Sequence, residues 1–139
     1  MISPVRTVCI TAMFCISGCA GVLKSTEPLV EAWIVEDIAG RGIIDYSRIE
    51  LVLEYDEQLS GSTGCNLLLG RYRVDGSAMT IDIAMTTRKV CPEALMYQER
   101  VFQGAIESID SYRFDPTGAL VLQEGNQPLV LAQSHKRRP

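Results

Sequence analysis

Cysteine and histidine are the residues of this 139-residue chain to weigh first for chemistry, and their number and spacing argue against the reactions and metal sites built on them. The chain has five cysteines and one histidine. A cysteine hydrolase needs a base within hydrogen-bond reach of its thiol. His135 lies in a basic stretch at the end of the chain, a poor place from which to activate Cys65. Structural zinc is held by about four nitrogen or sulfur ligands, and one terminal histidine with two separated cysteines, Cys65 and Cys91, does not supply them. The stretch Gly61-Ser62-Thr63-Gly64 is glycine-rich, but no lysine follows and no strand-to-helix junction is suggested, so it does not read as a phosphate cradle. No catalytic residue, metal or cofactor is therefore expected. The net charge is -4 and the basic residues are scattered, which gives no electrostatic reason to expect nucleic acid. Lys136-Arg137-Arg138 reads as a solvated basic tail over 133–139, the alternative being a weak contact with anionic lipid or polymer.

The amino terminus carries the most specific chemistry. Arg6 is the only charge in the first eighteen residues, residues 8–16 form a short, mostly apolar run, and Ser17-Gly18 are small residues ahead of Cys19. This is the charged, apolar and small-residue layout of a secretory signal. The run is too short to span a bilayer, which takes about twenty apolar residues. Ile16-Ser17-Gly18-Cys19 resembles the lipobox of bacterial lipoproteins, usually Leu-Ala-Gly-Cys. The resemblance implies that residues 1–18 are a signal peptide, that Cys19 is lipidated after cleavage, and that 19–28 form a tether. The alternatives are a plain secretory signal or an uncleaved apolar segment. Ala20 rather than Asp after the cysteine points, by the sorting pattern of that class, to the periplasmic face of the outer membrane. Cys9 and Cys15 leave with the signal and Cys19 is consumed by lipid, so Cys65 and Cys91 remain in an oxidising compartment. A disulfide between them is favoured; two buried thiols that never meet are the other reading.

The elements that must hold these residues are mostly strands. Residues 48–55 alternate, with Ile49, Leu51, Leu53 and Tyr55 on one face and Arg48, Glu50 and Glu54 on the other. Further strands are predicted over 29–38 (carrying Trp33), 58–60, 67–75, the Met79-Ile81-Ile83 run after the Asp75-Gly76 turn, 111–114, 119–123 and 127–132. This makes seven or eight short strands. One segment breaks the pattern: 92–109 reads as a helix, with Pro92 suited to its first position and Glu93 to its positive end. Leu95, Phe102, Ile106 and Ile109 form its apolar stripe, and Glu99 lies on that same stripe. A core-facing carboxylate is costly unless donors surround it, so Glu99 asks for an explanation.

At Gly61-Ser62-Thr63-Gly64-Cys65-Asn66, followed by Gly70 and Tyr72, the sequence resembles the META/HslJ domain family, whose pattern is roughly Ser-Gly-x-x-Gly-Cys-Asn, a short gap, then Gly-x-Tyr. A second block matches downstream: Thr87, Arg88 and Cys91 resemble its Thr-Arg/Lys-x-x-Cys segment, and Glu99 with Phe102 its helical Glu-x-x-Phe. The resemblance covers about 29–132, and Leu67-Leu68-Leu69 departs from a run that is often more polar or aromatic. It implies a mainly β (α+β) fold in which an antiparallel sheet curls into an incomplete barrel, with one covering helix. It also implies an envelope or secreted protein, in a family sometimes linked to heat shock or drug tolerance, and it names no reaction.

In physical terms the motif reads as architecture. Gly61 and Gly64 permit backbone angles or close approaches that a side chain would block. Asn66 can bond its own turn, and a Cys65–Cys91 bridge would pin that turn to the start of the helix. Glu99 would then accept from the turn's amides or pair with Arg88; a ligand site at the same place is the alternative. The expected function is a non-enzymatic, lipid-anchored envelope protein, monomeric, that supports stress tolerance by binding an envelope partner. The competing expectation is a carrier holding a lipid or small apolar ligand inside the incomplete barrel.

Overall fold

The computed structural model describes residues 28–137. The predicted signal peptide, Cys19 and the tether up to residue 27 lie outside the described residues, as do 138 and 139. In chain order the elements are β1 (Ala32–Ile38), β2 (Arg41–Gly42), β3 (Ile49–Leu53), β4 (Gln58–Thr63), β5 (Leu67–Asp75), β6 (Ala78–Thr86), α1 (Glu93–Ser108), β7 (Ser111–Phe114), β8 (Leu120–Glu124) and β9 (Gln127–Ser134). A short 3₁₀ turn, His135–Arg137, follows.

The strands form one antiparallel sheet in the order β2-β1-β3-β4-β5-β6-β7-β8-β9, and β1 also pairs with β9, from Trp33 against Ser134 to Ile38 against Val130. The sheet thus closes on itself, which removes most of its edges. Its seam lies between β6 and β7, which share only the Ala78–Ser111 pair. The helix connects those two strands and packs Phe102 and Ile106, both fully buried, into the interior. The interior is filled from all sides. Trp33, Leu51, Leu59, Leu68, Met79 and Leu122 are at most 2% exposed and belong to one apolar cluster with the helix residues. Each such side chain contributes roughly 1.5–3 kcal/mol of transfer free energy. Trp33 keeps its indole N–H satisfied by donating to the Leu29 carbonyl at 2.9 Å.

The alternation in β3 is as expected for Ile49, Leu51 and Leu53, which are buried. Tyr55 is not their companion: it lies past the strand end at 75% exposure, because the chain turns at 55–57 before the pleat can carry it inward. Among the described residues the strand count is nine, the addition being the two-residue β2, which folds back on β1 after a turn with Gly40 at φ +78°. Residues 58–60 are the start of a longer strand, and Gly61 lies inside β4 rather than in a turn. A Cβ on Gly61 would collide with the Glu50 carbonyl oxygen of β3, so glycine here permits close strand approach. Pro92 caps the helix from outside, with no side-chain cap bond, instead of occupying its first turn. At the other end β9 runs to Ser134, two residues beyond the expected end of the domain.

Candidate functional site

The turn between β4 and β5, residues 64–66, brings the motif together. Gly64 has φ +87°, a conformation strained for any other residue, and a Cβ there would strike the Ser47 hydroxyl. This turn aims Thr63 (0% exposed) and Asn66 (5%) inward, towards the face of α1 that carries Glu99 (9%). Thr63 Oγ1 donates to Glu99 Oε1 at 2.9 Å. It also accepts from the Asn66 backbone N–H at 2.8 Å, so one hydroxyl serves both the turn and the helix. Asn66 Nδ2 donates to both Glu99 oxygens, at 3.0 Å each. On its other side Asn66 Oδ1 accepts from the Lys89 N–H at 2.7 Å and from the Thr87 hydroxyl at 3.0 Å. The carboxamide orientation is forced, since the flipped group would set its oxygen against a carboxylate and its NH2 against an N–H. Thr87 is itself tied to β5, its Oγ1 accepting from the Leu67 N–H at 3.0 Å.

The disulfide Cys65–Cys91 joins the same turn to the loop that leads into α1, with Cα atoms 6.1 Å apart. The favoured bridge is therefore present, and it removes the thiolate that a nucleophilic role would need. His135 follows β9, its Nδ1 3.2 Å from Arg48 Nη2.

Glu99 finds neither of its expected partners. Its oxygens take side-chain donors (Thr63, Asn66 and, at a long 3.4 Å, Gln103) rather than backbone amides of the turn. Arg88 is exposed and, among the described residues, forms no ion pair with Glu99. Two neutral donors already fixed by the fold satisfy the carboxylate at lower desolvation cost than burying a guanidinium would.

The other motif residues do different work. Gly70 lies at a bulge in the β5–β6 pairing, its backbone against the Asp82 carbonyl. Phe102 is core. Tyr72 is 3% exposed and its hydroxyl donates to the Glu54 carbonyl at 2.6 Å. Burial first, and then the charges of Glu57 and Glu54, hold its hydroxyl above the usual tyrosine range. The folded state therefore keeps the Tyr72 proton where the unfolded chain begins to release it. That contribution is complete below about pH 10, the ordinary tyrosine value, and falls as pH rises further. Tyr72→Phe should cost about 1 kcal/mol near neutrality and flatten the loss of stability above pH 10, read by urea denaturation at stepped alkaline pH. An equally steep alkaline loss in the variant would assign it to other groups.

One contributor was not visible in the sequence. Gln98, 8% exposed, accepts from the Ile44 N–H at 2.8 Å through Oε1 and donates to Ser47 Oγ at 2.7 Å. It ties the loop ahead of β3 to the helix. Its partners lie 54 and 51 residues away, so no local pattern marks it.

The assembled groups are thus engaged with one another: one carboxylate, one carboxamide, two hydroxyls and an oxidised cysteine pair. Such a constellation fastens segments together, and it presents no activated nucleophile or base.

A family profile described as the META domain matches residues 27–136. No curated protein matches the chain. Among solved structures, an NMR structure of a protein from Burkholderia xenovorans is similar at a TM-score of 0.63 and 19% identity, over 78% of this chain and 86% of that one. A crystal structure of a duf4847 family protein from Bacteroides vulgatus is similar at a TM-score of 0.59 and 15% identity, over 81% of this chain and 97% of that one. At these identities the likeness concerns the fold.

Proposed function

This chain belongs to the META domain family, and from that premise we propose that it is a non-enzymatic module of the cell envelope, held by lipid at Cys19, that supports stress tolerance by binding a partner. The observation that carries the reading is the network around Asn66, in which the side chains of Thr63, Asn66, Thr87 and Glu99 are bonded to one another. A reactive site keeps such groups available for substrate; here they brace a surface. The carrier alternative finds no support in the interior, where bulky side chains at 0–6% exposure fill the space a guest would need.

The position of the motif turn on the domain also suits a display role. The chain enters at Pro28, and the Leu53 N–H donates to the Glu31 carbonyl, so entry lies beside the Leu53 end of β3. The motif turn lies at the Ile49 end, where Ile49 pairs with Thr63. The start of the described chain and the motif turn thus lie at opposite ends of β3.

Mass analysis of the amino-terminal peptide of envelope-purified protein, with fractionation of Cys19→Ser, tests the anchor. Acylated Cys19 in the wild type and a shift of Cys19→Ser from the membrane pellet to the soluble extract are expected. An unmodified Cys19, or a variant that stays in the pellet, contradicts the reading. In a strain lacking the chain, heat or drug tolerance should return with the wild type and not with Cys19→Ser.

A further inference from the structure

The seam of the sheet leaves a strand edge open. β6 pairs with β5 along its whole length, from Leu68–Thr86 to Asp75–Ala78. On its other side it meets β7 only at Ala78–Ser111, flanked by the bonds Met79 N–H to Asp110 and Tyr112 N–H to Ser77. Among the described residues no strand pairs with residues 80–86 on that side. In an antiparallel ladder alternate residues turn their N–H and C=O groups to opposite sides. The edge from Thr80 to Thr86 therefore offers a row of backbone donors and acceptors.

Proteins blunt such edges with lysine, proline or a covering element. The stretch Thr80-Ile81-Asp82-Ile83-Ala84-Met85-Thr86 has neither lysine nor proline, carries a single charge at Asp82 and a bulge opposite Gly70, and is otherwise rich in strand-forming residues. The helix lies beside this edge, joined to it by Gln103 Nε2 donating to Thr86 Oγ1 at 3.4 Å. It does not close the space: a groove of about 540 Å³ remains between β6 and α1. Ile83, Met85 and Met96 give it apolar walls; Arg88, Lys89 and Arg100 line it together with Glu107 and with Glu99, whose oxygens are taken by Thr63 and Asn66. All three cations are exposed, and Met85 is 57% exposed. The disulfide fixes the loop that bears Arg88 and Lys89, and Asn66 holds the Lys89 backbone.

We propose that this groove takes an extended peptide of a partner protein, added as a strand along β6, with an acidic side chain directed to Arg88, Lys89 and Arg100. Main-chain bonds to the edge supply affinity, and alternate side chains meeting Ile83, Met85 and Met96 supply selectivity. The cations, two of them arginines, suit a carboxylate. The inference rests on the reading of the domain as a binding module and is independent of the lipid at Cys19.

The test is selection of a random octapeptide library displayed on phage against the full chain, followed by amide chemical-shift mapping with the enriched peptides. The expected peptides alternate β-branched residues with at least one Asp or Glu, shift the amides of residues 80–86, and bind at least tenfold more weakly to Arg88→Glu/Lys89→Glu. The melting temperature of that variant, read alongside, confirms that it is folded. No enrichment, shifts confined to other surfaces, or binding unchanged by the charge reversal would overturn the proposal. So would displacement of the peptides by a synthetic copy of residues 20–27, which would make the groove a dock for the chain's own segment. Failure here leaves Cys19 acylation untouched, and failure of acylation leaves peptide binding untouched.

Discussion

Replacing Asn66 with alanine is expected to lower the unfolding free energy by about 3–4 kcal/mol, from loss of its hydrogen bonds and from leaving a buried carboxylate short of donors. Two contacts of 3.0 Å to the Glu99 carboxylate disappear, together with the acceptor for the Lys89 N–H and the Thr87 hydroxyl. A carboxylate at 9% exposure then keeps Thr63 and a long contact from Gln103 as its donors. Removing one partner from a buried charged group is expensive because the other remains desolvated. Urea denaturation reads the change as a lower midpoint at unchanged slope. The loop 87–91 should also lose amide protection before the rest of the chain, since Asn66 Oδ1 accepts from the Lys89 N–H and the Thr87 hydroxyl there. A loss below about 1 kcal/mol, on the scale of one ordinary hydrogen bond, would mean that water replaces Asn66 without difficulty and that the network is incidental.

The second large effect is loss of the disulfide. Cys65 and Cys91 are 26 residues apart, and the chain-entropy account gives about 3.5 kcal/mol for closing a loop of that size. The double variant Cys65→Ser/Cys91→Ser should therefore melt more than roughly 10 °C below the wild type by calorimetry. Adding a reductant should lower the melting point of the wild type similarly and leave that of the double variant where it was. If reduction changes nothing, the network around Asn66 already holds the turn to the helix without covalent help. The two effects should be less than additive, because bridge and network both hold the β4–β5 turn to the 87–91 loop.

Much of the fold could be read along the chain because local rules and tertiary environment agree. In β3 the pleat places Ile49, Leu51 and Leu53 on the buried side, as their alternation requires. The helix could be recognised from Phe102, Ile106 and Ile109, which all lie inside. Ends were less legible. Tyr55 continues the alternation on paper but falls beyond the last pair of β3 and β4, Leu53 with Leu59. Gly61 looks like a turn residue by type, whereas the close passage of β3 explains it, a contact between residues that are distant in sequence. The same limit applied at the site. Glu99 stood out because a carboxylate on an apolar stripe breaks the local pattern, yet its partners are set by the turn geometry at Thr63 and Asn66. Gln98 broke no pattern and so gave no signal.

The motif is a clasp that joins the β4–β5 turn, the 87–91 loop and α1. A double-mutant cycle between Asn66 and Glu99 tests it most directly, using Asn66→Ala, Glu99→Ala and the pair, each measured by urea denaturation at neutral pH. A clasp predicts that the double variant is little worse than either single one, with a coupling of at least about 1.5 kcal/mol, in the range seen for residues that share a network. Additive losses, with a coupling within about 0.5 kcal/mol of zero, would show that the two residues act separately, and the clasp would have to be abandoned.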